Sequence, residues 1–309
     1  MREGCGVHHC NIGVRDLEAT KAFYGDTLDF TNIFVEFPEA EYPALREVVR
    51  IANPVYSAVL FSQEAGGIIV ELCQMINPTP RPIRSDFRYG DIGVNKMSIA
   101  VSDLDKVYNE LKDKMIFCSV PKSVRIKGWG DYHFVYGRDP EGNLIEFFCA
   151  EKMRMTDKFG GVQWMGVSVT ELERSIEFYQ KYMGFDRMFI NPHESFSGIL
   201  DEVTGVSNTK LRSCVLENSK AEGMVELFEM TKPRGRSVPH STIWGDFGYW
   251  QICVNGDNNE SIFEIAAYFE NEGLEFISKP QLMKDEKRGG FFYLKDPDGI
   301  HMEFLVFNQ

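Results

Sequence analysis

The chain lacks any apolar run long enough to cross a membrane as a helix. It has no cluster of lysine or arginine, and its formal net charge is −13, so nucleic acid is not an expected partner. Seven cysteines lie scattered at Cys5, Cys10, Cys73, Cys118, Cys149, Cys214 and Cys253, with no CxxC pair among them. That spacing argues against a disulfide framework or a zinc knuckle and for reduced, mostly buried thiols. The opening MREGCGVHHC has no secretory apolar core, which together with the thiols leads us to expect a cytoplasmic protein. What remains is 43% hydrophobic and 26% charged over 309 residues, a globular composition long enough for two domains.

What the sequence does have is repetition. DPEGNLIEFF (Asp139 to Phe148) returns as DPDGIHMEFL (Asp296 to Leu305), and VRDLEATKAFYGDTLDF (Val14 to Phe30) returns as VTELERSIEFYQKYMGF (Val169 to Phe185). Four strand-like apolar runs each hold one glutamate, at Glu71, Glu146, Glu226 and Glu303. Glu71 and Glu226 are 155 residues apart, and Glu146 and Glu303 are 157 apart. Within each half the glutamates are separated by 75 and 77 residues. The chain therefore consists of two halves of two modules each, joined near Glu151 to Gly160. We expect domains over 1–152 and 160–309.

Each module reads β-α-β-β-β. VHHCNIGV (Val7 to Val14) alternates as a strand does, and Asp16 is placed to cap the helix that follows. EYPALREVV (Glu41 to Val49) interrupts module one and predicts a short helix. Module two runs through KMSIAV (Lys96 to Val101), a helix from Asp103 to Lys112, and three strands ending at Cys149. One such unit cannot cover both faces of its sheet. Two side by side would form an open, eight-stranded cup with helices outside, an α+β fold with mixed sheets.

These segments resemble the glyoxalase/bleomycin-resistance/extradiol-dioxygenase group, the vicinal oxygen chelate superfamily, in tandem form. The resemblance covers nearly the whole chain. It is most specific in HxxIxVxDLExxxxFY (His9 to Tyr24, written as spaced here) and in the two DPxGxxxEF endings. One fold of this kind hosts many reactions, so it implies architecture more firmly than chemistry.

The resemblance also implies where metal ligands stand: early in the first strand and in the last strand of paired modules. Alternation points His9 and Asn11 into the cup, with Cys10, Ile12 and Val14 toward the helix. Carried across, the first-strand positions are His9, Lys96, Trp164 and Tyr249, and the last-strand positions are the four glutamates. Family members usually supply two nitrogen donors, or one with Gln or Glu; here a single first-strand position is histidine. Pairing modules one and two gives His9, Glu71, Lys96 and Glu146, where Lys96 more naturally neutralises Glu146 than ligates. Pairing modules one and four gathers His9, Glu71, Glu303 and Tyr249, with His301 adjacent, a set suited to Fe, Mn, Ni, Co or Zn. The plainer reading makes His9 a satisfied core histidine and the acids ion-paired scaffold, with Lys96 and Arg125 as partners.

Further candidates follow from position. Tyr293 precedes Glu303 by ten residues, where extradiol enzymes carry a tyrosine that bonds a substrate oxygen; Tyr136 stands likewise before Glu146. Glu71 or Glu303 can move a proton. His133 faces either the cup or the helices. His193 and His240 fall in loops, and Ser237 to Trp250 is placed to shape the mouth of a cup. Trp129, Trp164, Trp244 and Trp250, with Phe247, suit a pocket for a ring or acyl chain, or simply a core. Two functions are expected from this. One is a divalent-metal enzyme, with Glu71 and Tyr293 catalytic, acting as a glyoxalase-like lyase or isomerase or as a ring-cleaving dioxygenase. The other is a metal-free binding protein of the bleomycin-resistance type. The expected partner is a small molecule, with a homodimer left open.

Overall fold

The computed structural model describes residues 6–194, 197–239, 241–256, 260–283 and 289–307. Module one contributes β1 (Val7–Gly13), α1 (Leu17–Leu28), β2 (Asn32–Glu41), β3 (Val55–Gln63) and β4 (Gly66–Asn77). The expected helix after Asp16 forms as read: the Asp16 carboxylate accepts from Ala19 N at 2.9 Å, satisfying an otherwise orphaned donor. The insertion after β2 forms a 3-10 turn (Pro43–Leu45) and a single helical turn α2 (Arg46–Val49). Module two is β5 (Gly93–Val101), α3 (Leu104–Leu111), β6 (Ile116–Phe117), β7 (Lys122–Ile126), β8 (Gly130–Arg138) and β9 (Leu144–Ala150). Module three is β10 (Phe159–Ser168), α4 (Leu172–Tyr182), β11 (Arg187–Glu194), α5 (Asp201–Thr204), β12 (Lys210–Glu217) and β13 (Met224–Lys232). Module four is β14 (Gly248–Asn255), α6 (Ile262–Asn271), β15 (Gln281–Leu282), β16 (Gly290–Lys295) and β17 (His301–Val306).

The modules pair across the halves, not within them. One sheet runs β2-β3-β4-β1-β14-β17-β16-β15, joining modules one and four. The other runs β11-β12-β13-β10-β5-β9-β8-β7, joining modules two and three, with β6 also on β8. In both sheets the two first strands lie antiparallel at the centre, and each is flanked in parallel by the last strand of its own module. A parallel bridge, Val162 to Gly67, links the sheets. Gly67 has φ +86°, and a Cβ there would lie 2.5 Å from Val162 O, so close backbone approach requires glycine.

The main core lies on the helix side. Cys10, Ile12 and Val14 pack there with Tyr24 and Leu28 of α1, as the alternation of β1 requires. Two smaller clusters fill the opposite, concave faces. One surrounds Trp244, Trp250 and Tyr293; the other surrounds Trp164, Tyr132 and Phe148.

Candidate metal centre

The register explains why four side chains meet. Asn11 of β1 stands opposite Glu71 of β4 and opposite Gln251 of β14. Cys253 of β14 stands opposite Glu303 of β17. His9 and Gln251 each precede by two residues the position that faces a glutamate, so both project into the same cup. His9 Nε2 lies 3.2 Å from Glu303 Oε2 and 3.6 Å from Glu71 Oε2. Gln251 Nε2 donates to Glu303 Oε2 at 2.8 Å. His9, Glu71, Glu303 and Gln251 are all buried.

Position Tyr249 is corrected by this geometry. A register shift between Asn11 and Ile12 leaves Tyr249 opposite Ile12, on the helix side, where its hydroxyl donates to Leu144 O at 2.8 Å. Gln251, not Tyr249, is the β14 residue that reaches Glu303 in the cup. Simple counting from the start of a strand cannot see a bulge.

Burial opposes charge on His9, but the hydrogen bond to Glu303 and the charges of Glu303 and Glu71 outweigh it and hold the imidazole above its ordinary pKa. Burial, reinforced by Glu303, pushes Glu71 up, and His9 opposes that shift. Two buried carboxylates on one imidazole are an excess of negative charge in a low-dielectric site. Gln251 Oε1 is buried without a hydrogen-bond partner, an unusual state for a polar atom. One imidazole nitrogen, two carboxylates and an orphaned amide oxygen fit a divalent cation.

His8 supports this orientation from behind. Its Nδ1 lies 2.9 Å from His9 Nδ1. Burial and the neighbouring His9 push His8 down to about 3, so it is neutral and can accept from His9 Nδ1–H. That leaves His9 Nε2 toward the acids, the usual division of labour for a ligating histidine. Donor atoms of His8, His9 and Cys253 also lie within 4.8 Å of one another. In this arrangement His9 Nδ1 already bonds His8, which leaves it no free donor atom for that group.

Of the residues expected from sequence, His9, Glu71 and Glu303 are brought together. His301 sits two residues earlier on β17, with its ring 4.3 Å from that of Trp250 and edge-on to it. Burial, then Lys295 and Arg50, hold it down to about 3. Tyr293 stands opposite Glu303 on β16, buried, its phenol held well above the ordinary value by burial and by Glu303 and Glu71. Trp244 and Trp250 do line this cup, packed with Tyr56 and with Leu45, Val48 and Val49 of the insertion. Tyr56 was not expected; burial, Glu71 and Glu303 raise its phenol too. His133 faces away from the cup side of β8, with Ser123 Oγ 2.6 Å from its Nδ1. His193 is partly exposed on β11, and His240 lies outside the described residues.

The second cup repeats this geometry with other residues. Ser98 faces Glu146, and Gly166 faces Glu226, so Trp164 occupies the position of His9 and Lys96 that of Gln251. Lys96 Nζ lies 2.5 Å from Glu146 Oε2 and 2.7 Å from Glu226 Oε2, as the ion-pair reading anticipated for Glu146.

Fold and site together define a tandem βαβββ protein with two cups, one lined by His9, Glu71, Gln251 and Glu303 and one by Lys96, Glu146, Trp164 and Glu226. A family model described as the Glyoxalase/Bleomycin resistance protein/Dioxygenase superfamily matches residues 6–147 and 161–304, and the chain belongs to that superfamily. An uncharacterized protein, YaeR, from Escherichia coli (strain K12) is 26% identical over 142 residues, covering 46% of this chain and 94% of YaeR. Among solved structures, glyoxalase I from Zea mays superposes with a TM-score of 0.64 at 16% identity, covering 98% of this chain and 92% of that one. A putative dioxygenase from Bacillus subtilis gives 0.60 at 13% identity, covering 99% and 86%. At such identities these likenesses speak for the fold.

Proposed function

We propose that this chain is a divalent-metal enzyme of the glyoxalase-like lyase or isomerase type, acting on a small organic substrate with neighbouring oxygens. The observation that carries the proposal is the convergence of His9, Glu71 and Glu303 with the unpartnered amide oxygen of Gln251. These four residues would hold the ion, and His301 is left to shape the pocket beside Trp250. An ion bound there supplies Lewis-acid polarisation of the substrate oxygens.

The chain's own groups then divide the remaining work. Glu303 is tied by His9 at 3.2 Å and Gln251 at 2.8 Å, whereas His9 is 3.6 Å from Glu71. Glu71 is the more loosely held carboxylate, and its raised proton affinity suits a general base. Tyr293 stays protonated and can donate its hydroxyl to a substrate oxygen. Tyr56, Trp244 and Trp250 exclude water and offer ring faces to an apolar portion of the substrate. Proton transfer is favoured over ring-cleaving oxygenation because, among the described residues, one imidazole approaches the carboxylates, where the oxygenase triad needs two.

The test is a panel of α-hydroxy carbonyl compounds in deuterated buffer with metal-loaded protein, followed by NMR. Exchange of the carbon-bound proton that is lost in Glu71→Gln supports the reading. Oxygen consumption without exchange would replace it with dioxygenation. Ligand binding with neither, and with no metal retained, would favour a sequestering protein.

A further inference from the structure

We propose that the second cup is a metal-independent binding site for an uncharged, planar hydroxyaromatic molecule, with Lys96 standing where the first cup would hold its cation. The proposal does not depend on the activity assigned to the first cup. The two cups are related residue by residue, so the side chain at each position compares directly. By the repeat Trp164 matches His9 and Lys96 matches Gln251, and here it is Lys96 that approaches both carboxylates, Glu146 and Glu226. The lysine is buried, and its ammonium has three acceptors in reach: Glu146, Glu226 and, at 3.2 Å, Tyr136 Oη. An ammonium has three donors, and this one stands between both carboxylates, where its positive charge opposes a second cation. The fold accommodates it deliberately. A Cβ on Gly166 would lie 2.6 Å from Lys96 Cγ, so the facing strand must carry glycine.

Above this ion-pair floor lies a cavity of about 640 Å³. Its walls include the rings of Tyr89, Tyr132, Phe134, Tyr136 and Trp164. Flat aromatic walls favour a flat aromatic guest. Two features specify its polar group. Trp164 is 1% exposed, and its indole Nε1 is buried without an acceptor. Glu226, the more exposed of the two floor acids, lines the cavity and retains acceptor capacity beyond its contact with Lys96. A hydroxyl answers both, accepting from the indole and donating to the carboxylate. An anionic guest is disfavoured by a floor with two carboxylates and one ammonium.

The test is calorimetric titration of the full chain with naphthol, naphthoate and naphthalene, with and without EDTA. One naphthol should bind per chain, unaffected by EDTA or by His9→Ala, and naphthoate should bind at least about tenfold more weakly. Ser213→Trp, which projects an indole from β12 into the cavity, should abolish binding. Trp164→Phe keeps a ring and removes the N–H, so it should weaken naphthol about tenfold and leave naphthalene unchanged. No naphthol binding overturns the proposal. So does binding that EDTA or His9→Ala removes while Ser213→Trp does not. Equal losses for naphthol and naphthalene in Trp164→Phe overturn the hydroxyl assignment. A wild-type metal ion lost on Glu226→Gln and retained on His9→Ala would show that Lys96 does not exclude a cation. A protein that binds naphthol but no metal would sink the first-cup reading and leave this one standing.

Discussion

Replacing Lys96 by methionine isolates the energetics of the second cup. The substitution keeps most of the apolar stem, which packs against Gly166, and removes the charge. Glu146 is 2% exposed, and it and Glu226 each lose an ammonium partner, at 2.5 and 2.7 Å. Removing one member of a buried ion-pair set typically costs about 3–5 kcal/mol, because a charge is left uncompensated. Unfolding entropy of about 2.1 cal/mol/K per residue makes that roughly 5–8 °C in melting temperature for a chain of this length unfolding as one unit. Calorimetry at pH 7.5 should show that loss. It should shrink as pH falls and the stranded carboxylates protonate, and it should be largely restored in Lys96→Met/Glu146→Gln/Glu226→Gln, where no charge is left unpaired. A single Lys96→Met variant that melts with the wild type at pH 7.5 would refute the claim that the floor is a mutually dependent charge set.

Other consequences follow from the first cup and the repeated turns. Tyr293→Phe should lower kcat about tenfold, the worth of one hydrogen bond, with metal content unchanged; loss of metal would instead make Tyr293 structural. Gln251→Leu should weaken metal affinity about tenfold or more, measured by competition with a chromophoric chelator, and an unchanged affinity would remove Gln251 from the ligand set. Asp296 accepts from the amides of Asp298 and Ile300 and is raised by burial from 3.8 to about 7. A raised acid binds its proton more tightly when folded. Its stabilising contribution is therefore present in full below about pH 4 and lost as pH rises through 7, by at most roughly 4 kcal/mol. Asp296→Asn should flatten that slope between pH 4 and 7 in denaturant titrations, and an unchanged slope would contradict it.

Much of this architecture was legible because it is periodic. The paired DPxG turns, the FY helix motifs and the lone glutamates gave the modules, and α1 begins where Asp16 said it should. Alternation put His9 in the cup, and Glu71, Glu303 and Lys96 stand where the repeat implied; that His8 reaches the His9 ring is seen only in the structure. Other features depend on contacts that no local pattern records. The pairing of modules one with four and two with three is set by which first strands meet at the sheet centres. Gln251 was hidden by a bulge that shifts β14 against β1. Had the glutamate rather than the strand start been used as the reference, counting back from its ladder partner would have found it. Tyr56 and the insertion residues reach the site through tertiary packing alone, and no spacing announces that.

Metal content of purified, full-length protein tests the central claim most directly. Elemental analysis after growth with Mn, Fe, Co, Ni and Zn supplied should find one transition ion per chain. That ion should be lost in His9→Ala and Glu303→Gln, and kept in His301→Ala and Lys96→Met. Absence of metal under every condition, or an ion that survives His9→Ala, would contradict the assignment of His9, Glu71, Gln251 and Glu303 as its ligands.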